Sequence, residues 1–313
     1  MIIVDMTMAA IAGSCAVCFT NPFDLTKTRL QLDGESARAG QKRLYRGWKD
    51  CISANYQAGG LRALNQGLSF AVMREAVLNC FRLGLYGPIL QVMTPSSPAL
   101  AADFNPSEMP PTPFWVKVAS GMVSGLIGGA LANPLEVLKV RMHASSNGGG
   151  LASGHQHGYR NSWHAVHTLV QKEGFKGMWT GLTTSCVRMM IASGVQLPTY
   201  YITKSFLVSR SCNEDAPSTH IASSMVSAAA AISANNPIDV CRTRLYNQPR
   251  NADGTGKLYS GGMDAAVKIY RNEGPLAFYK GGLTNMFRLG PHLTLVFVIL
   301  EKLRMIARNN GHL

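Results

Sequence analysis

The chain has 313 residues, 46% of them hydrophobic and only 15% charged, well below the roughly 25% charge of an ordinary soluble domain. Its 30 Lys+Arg outnumber 17 Asp+Glu, for a formal net charge of +13. These cations are spread along the chain and partly set inside apolar stretches, which excludes the basic, aromatic-studded face that a nucleic-acid binder needs.

The predicted elements are all helical. An apolar stretch rich in small residues runs from Met6 to Leu32, and a short surface helix follows near Trp48–Gln57. A second long helix covers Leu68–Met93. Thr94–Pro113, with six prolines, reads as a structureless linker. A third helix spans Phe114–Met142; its Gly121, Gly125 and Gly129 form a smooth stripe on which a neighbour can pack closely. Asn147–Gly158 reads as a flexible loop, with His155 and His157 too few to close a metal site. A surface helix near Ser162–Lys172 precedes the fourth long helix, Leu182–Val208. The fifth covers His220–Tyr246, with a weaker small-residue row at Ser224, Ala228 and Ile232. A surface helix near Met263–Arg271 leads to the sixth, Leu283–Arg308. Each long helix can cross roughly 30 Å of hydrocarbon with some tilt. The fold class is therefore all-α membrane, six transmembrane helices in three pseudo-symmetric repeats with short surface helices. The repeats are expected at 1–94, 114–208 and 218–308, joined by linkers 95–113 and 209–217. The stretches 33–65, 144–180 and 248–280 carry 6, 3 and 5 Lys/Arg, whereas 95–113 and 209–217 carry none and one. The positive-inside rule puts the three long loops on one common side, the matrix, and both termini on the other.

Two patterns define the repeats. The first is P-x-[D/E]-x-x-[K/R]-x-R: Pro22, Asp24, Lys27, Arg29; then Pro134, Glu136, Lys139, Arg141; then Pro237, Asp239, Arg242, Arg244. The second follows each: Glu173, Gly174, Trp179, Gly181 in repeat two and Glu273, Gly274, Tyr279, Gly281 in repeat three. Repeat one keeps Gly60 and Gly67 but has Gly59 for the acid and Asn65 for the aromatic. A proline in a helix removes a backbone bond and bends the chain; the acid and base after it share one face. Three such kinks about one axis gather three acids and three bases, which must pair in a low dielectric. Arg74, Arg188 and Arg288 each lie seven residues after Gly67, Gly181 and Gly281, in helices that ought to be apolar. Arg82 lies fifteen after Gly67, and Gln196 holds that offset on the fourth helix. An intramembrane arginine is a functional-site hypothesis by default, and guanidinium forks grip carboxylates bidentately. No carboxylate in the even-numbered helices is expected to neutralise these arginines. The seven scattered cysteines do not form a disulfide framework, and Cys15 and Cys18 have no second pair to complete a zinc site. Residues 1–10 carry no signal- or transit-peptide pattern, so targeting is expected to be internal. No metal, cofactor or enzymatic constellation is read in the chain.

The two motifs, in order and three times over, resemble the mitochondrial carrier family. The resemblance covers Met6 to Arg308. It implies a carrier of a small anion, acting as a monomer in the inner membrane with lipid such as cardiolipin around it. It also implies the pairs Asp24–Lys139, Glu136–Arg242 and Asp239–Lys27 as a matrix gate braced by Gln31. Substrate contacts are implied at Arg82, at Arg188 with Met189, and at Arg288. The family's second gate, [F/Y]-[D/E]-x-x-[K/R], is incomplete. Tyr86 has neither charge after it, Tyr200 has Lys204 without the acid, and Leu300 precedes Glu301 and Arg304. A weak gate on that side, with the unliganded protein open to the intermembrane space, is the expectation. Segments around Arg82, Gln196–Pro198, Arg288–His292 and Thr243–Gln248 resemble the oxaloacetate, dicarboxylate and oxoglutarate branch, the oxaloacetate carrier most. Dicarboxylates and keto acids (oxaloacetate, malonate, malate) or sulfate are the implied cargo. An uncoupling-protein-like proton or anion leak is the alternative.

Overall fold

In the computed structural model, six long helices stand in a ring and three shorter ones cover one end. The structure describes residues 2–35, 44–94, 113–146, 151, 153–210, 217–251 and 255–309. The linker 95–112 lies outside the described residues. The helices are α1 (Ile2–Leu32), α2 (Trp48–Leu64), α3 (Leu68–Gly84), α4 (Tyr86–Val92), α5 (Phe114–Ala144), α6 (Ser162–Gly177), α7 (Leu182–Ser209), α8 (Pro217–Asn247), α9 (Gly262–Glu273) and α10 (Gly282–Asn309). A 3₁₀ turn at Pro275–Tyr279 joins α9 to α10. The long helices are α1, α3 continued by α4, α5, α7, α8 and α10. The second expected span is thus two pieces, because Pro88 removes the amide that would bond the Gly84 carbonyl. α2, α6 and α9 gather on one end, the loop face.

The bundle is inverted relative to a soluble protein. Phe19, Met73, Trp115, Ile127, Phe206 and Met225 are exposed, whereas Ser120, Ser124, Ser223, Asn133 and the motif charges are buried. Hydrocarbon can solvate the first set and not the second. Among the described residues, only Trp115–Ala144 and Pro275–Leu303 reach the hydropathy of a simple span, 1.3 and 1.4. The other long helices carry polar and charged residues that face the interior. α3 packs between α1 and α5, α7 packs on α8, and α10 on α1. The close approach of α3 to α5 is at Gly128, where a Cβ would lie 3.2 Å from the Leu78 carbonyl. Of the expected glycine stripe, Gly125 has nothing within 4 Å and Gly129 faces Met189 on α7. Gly128 is the position that α3 uses, and Gly121, two turns back on the same face, meets the Tyr86 ring of α4.

The glycines kept by all three repeats have a common reason. Gly67, Gly181 and Gly281 cap α3, α7 and α10 with φ of 74°, 66° and 73°, a left-handed region that only glycine enters cheaply. Each also presses on a proline-kinked helix, α5, α8 and α1 in turn. An added Cβ would meet His143 at 2.8 Å, Tyr246 at 2.8 Å and the Lys27 carbonyl at 3.0 Å, respectively.

Candidate functional site

Pro22, Pro134 and Pro237 sit inside α1, α5 and α8, and each bend turns its acid and base toward the axis. Lys139 Nζ donates to Asp24 Oδ2 at 2.6 Å, Lys27 Nζ to Asp239 Oδ2 at 2.7 Å, and Arg242 Nη2 to Glu136 Oε1 at 3.4 Å. The six side chains form a cyclic ring in which α1, α5 and α8 each hold the next.

A second layer of cations lies on the same three acids. Arg288 Nε is 3.0 Å from Asp24 Oδ1 and Arg188 Nε 2.6 Å from Asp239 Oδ1; Arg74 Nε meets Glu136 Oε2. The expectation that no carboxylate of the second, fourth and sixth spans would neutralise the arginines fails at Arg74, where Glu75 of the same helix sits; the other partners are the kink acids. The kink acids have a second oxygen each, and the arginines reach across to it. Glu75, in α3 itself, also accepts from Arg74 at 2.6 Å. Six cations therefore share four carboxylates, and two positive charges remain in excess. The arginine layer is the more accessible one: its side chains are 17–25% exposed, against 10–13% for Lys27, Lys139 and Arg242.

The remaining expected residues divide. Met189 lines a polar cavity with Arg74, Glu136, Arg188, Arg242 and Tyr246. Arg82 lies two turns beyond Arg74 on α3, is exposed, and makes no ion pair among the described residues. The structure does not bring it to the arginine layer. Gln196 is exposed on α7. Gln31 does not touch the Lys27–Asp239 pair. Its Oε1 accepts from Thr243 Oγ1 at 2.7 Å and its carbonyl from Arg244 Nε at 3.2 Å, so it ties α1 to α8 one turn below the ring. On the far end, Tyr86 opens α4, the Tyr200 ring meets Tyr201 edge-on at 5.3 Å, Lys204 is half-buried on α7, and Glu301 is exposed. The Arg304 side chain lies outside the described residues.

Sequence reasoning passed over a third repeated signal, the asparagine before each motif proline. Asn21 Nδ2 donates to the Leu64 carbonyl at 3.4 Å, Asn133 to Met178 at 3.0 Å, and Asn236 to Phe278 at 2.7 Å. Each fastens a kink to the turn before the following long helix, α3, α7 or α10. The Asn-Pro pair recurs three times and was there to be read. Trp179 Nε1 donates to the Ala130 carbonyl at 3.1 Å, the group that Pro134 deprives of its helical partner. The loop expected to be flexible is tied down in its described part. His157 Nε2 donates to the Asn247 carbonyl at 3.1 Å, and Gln156 Nε2 to Ala144 at 2.8 Å.

A threefold helical bundle, with a ring of paired charges at the kinks of one end, defines a solute carrier of the inner-cavity type. The family model described as mitochondrial carrier protein matches residues 2–97, 110–211 and 213–311. The chain belongs to the mitochondrial carrier family, whose members are transporters and not enzymes. It is 33% identical to the mitochondrial oxaloacetate transport protein of Saccharomyces cerevisiae, over 93% of this chain and 87% of that one. It is 33% identical to the mitochondrial 2-oxoglutarate/malate carrier protein of Bos taurus, over 96% and 90%. It is 34% identical to kidney mitochondrial carrier protein 1 of Xenopus laevis, over 95% of both.

Proposed function

We propose that this protein carries small dicarboxylates or keto acids, such as oxaloacetate, malonate and malate, or sulfate, across the mitochondrial inner membrane by alternating access. The observation that carries the reading is the charge balance of the ring: six cations on four carboxylates, an excess that matches a dianion. Cargo entering from the side away from the loops meets the more accessible Arg74, Arg188 and Arg288 first, with Arg82 on its path and Met189 and Gln196 along the wall. Its carboxylates then replace the kink acids on those guanidiniums. Each kink acid whose arginine is taken over loses one of its two cations, which changes the balance of the ring of Asp24, Glu136 and Asp239 with Lys27, Lys139 and Arg242. Binding can open the loop side only by as much as the cargo prefers the opened state, and this substitution is the source of that preference. Gln31 holds α1 to α8 until the ring parts. Tyr86, Tyr200, Lys204, Glu301 and Arg304 form the opposite gate, whose sequence motif is missing both charges after Tyr86 and the acid after Tyr200; a resting form open to the intermembrane space follows from that weaker motif.

The names of the yeast and bovine relatives support an organic-acid cargo. The +13 charge and the cation-rich loops support a matrix-facing loop side, and the carrier is inferred to work as a monomer among anionic lipids such as cardiolipin. Three repeat units, 1–94, 114–208 and 218–308, are inferred to move as bodies about the kinks. Uptake into liposomes with labelled oxaloacetate, malonate, malate, oxoglutarate and sulfate tests the reading. Exchange of dicarboxylates supports it. Purine-nucleotide-sensitive proton conductance without exchange would instead select the leak function, which Glu75, an acid buried beside Arg74, favours.

A further inference from the structure

The loop face holds a second polar cavity, separate from the ring. Its walls are His155, His157, Lys172 and Glu173 from one side and Arg250 and Lys257 from the other, so it spans the boundary between the second and third repeats. The walls are fixed. The His157 ring stacks on Tyr159 at 5.4 Å and 6°, and His155 meets it edge-on at 4.7 Å. Lys257 N donates to the Pro249 carbonyl at 2.9 Å, and an isolated bridge pairs Arg250 with Gly256, closing the turn that presents both cations.

The cavity is short of negative charge. Among the described residues its one carboxylate is Glu173, already held by Arg141 at 2.5 and 2.9 Å and 3.4 Å from Arg250 Nε. Lys172 and Lys257 are exposed at the rim. The local potential is visible in the histidines. Burial and then Arg141 pull His157 down to about 3, and burial, Arg141 and Lys257 lower His155. Both rings are neutral at pH 7 and add no charge of their own, so among the described residues four cations, Arg141, Lys172, Arg250 and Lys257, surround a single engaged acid.

We propose that this cavity binds a soluble phosphate monoester or polyphosphate, taken up by Lys172, Lys257 and Arg250. A phosphate monoester carries close to two negative charges and three strong acceptor oxygens, which suits three converging cations better than a single carboxylate does. A phospholipid headgroup shares that chemistry, but the lining is polar and offers no wall for acyl chains. Because the ligand bridges two repeats on the loop face, it favours the form in which that face is closed. This last effect rests on the alternating-access reading; the binding does not.

The test is thermal unfolding of the purified full chain in detergent, titrated with pyrophosphate, with no transport step involved. The Lys172→Gln/Lys257→Gln double variant removes two exposed rim charges. The Lys49→Gln/Arg62→Gln double variant removes two exposed charges elsewhere on the loop face. Pyrophosphate is expected to raise the melting temperature of the parent and of the second variant alike, and the first variant to need at least about tenfold more for the same shift, about 1.4 kcal/mol. Equal shifts in all three proteins, or no shift in the parent, overturn the proposal. A rim-dependent shift seen with cardiolipin vesicles and absent with pyrophosphate also overturns it, in favour of a lipid site. Malonate exchange by the rim variant without pyrophosphate should match the parent. Failure of exchange in both proteins would count against the transport reading while leaving the binding result intact.

Discussion

Arg29, Arg141 and Arg244 occupy one station in the three repeats, and repeat one serves it differently from the other two. In all three, Nε donates to a carbonyl of the next repeat: His143 at 2.9 Å, Tyr246 at 2.8 Å and Gln31 at 3.2 Å. In repeats two and three the fork then closes on a carboxylate, Glu173 or Glu273. Repeat one has Gly59 there. Its Arg29, fully buried, donates instead to Asn55 Oδ1, to Gln66 Oε1 at 3.2 Å, and to the carbonyls of Leu151 at 2.5 Å and Ser145 at 3.1 Å. A buried guanidinium thus does not require an acid if every N–H finds an oxygen, because its charge is delocalised over the whole fork. The difference also explains the loop 151–157: part of repeat one's missing acid is supplied by backbone from repeat two.

Substitutions can break this comparison in order of effect. Glu173→Gln leaves Arg141 buried without its counter-charge and should cost about 3–5 kcal/mol, read as a fall of many degrees in thermal unfolding. Asn55→Leu removes one of several neutral acceptors of Arg29 and should cost about 1–3 kcal/mol. A larger loss at Asn55 than at Glu173 would mean that the distributed solution is the more fragile one. Gly59→Glu restores the motif acid; it should add about 1 kcal/mol and offset most of Asn55→Leu in the double variant. No rescue would show that the repeat-one station has lost the geometry as well as the acid.

A separate effect is a pH dependence, also in repeat one. Burial, reinforced by Glu273, raises Glu35 to about 7, so the folded state favours the protonated carboxyl. The cost of ionising it is absent below the ordinary carboxylate range, grows between about 4.5 and about 7, and persists above. Glu35→Gln should raise the melting temperature at pH 8 and change it little at pH 5. A pH-independent difference would contradict that origin.

The bundle, its kinks and the charge ring were legible because they recur. Pro22, Pro134 and Pro237 fix the bends, and charges two and five residues later must share a face. What sits across space in one copy only was not legible. That Gln31 would find Thr243, rather than the ion pair above it, depends on a side chain 212 residues away. That Arg188 and Arg288 would take the second oxygens of Asp239 and Asp24 depends on how far α7 and α10 lean toward the axis. Glu75 was in plain view beside Arg74. The break at Pro88 and the choice of Gly128 over Gly125 turn on the rotation of single helices, which apolar periodicity leaves loose when the interior is polar.

Arginines that serve the kink acids and the cargo in turn would couple binding to opening. Exchange of labelled malonate by reconstituted Arg288→Ala, with unfolding measured in parallel, tests that coupling most directly. A folded protein whose exchange falls at least about a hundredfold, roughly 3 kcal/mol, is the predicted result. Exchange at the parental rate would show that Arg288 belongs to the gate alone, and would contradict the coupling of cargo binding to the opening of the ring.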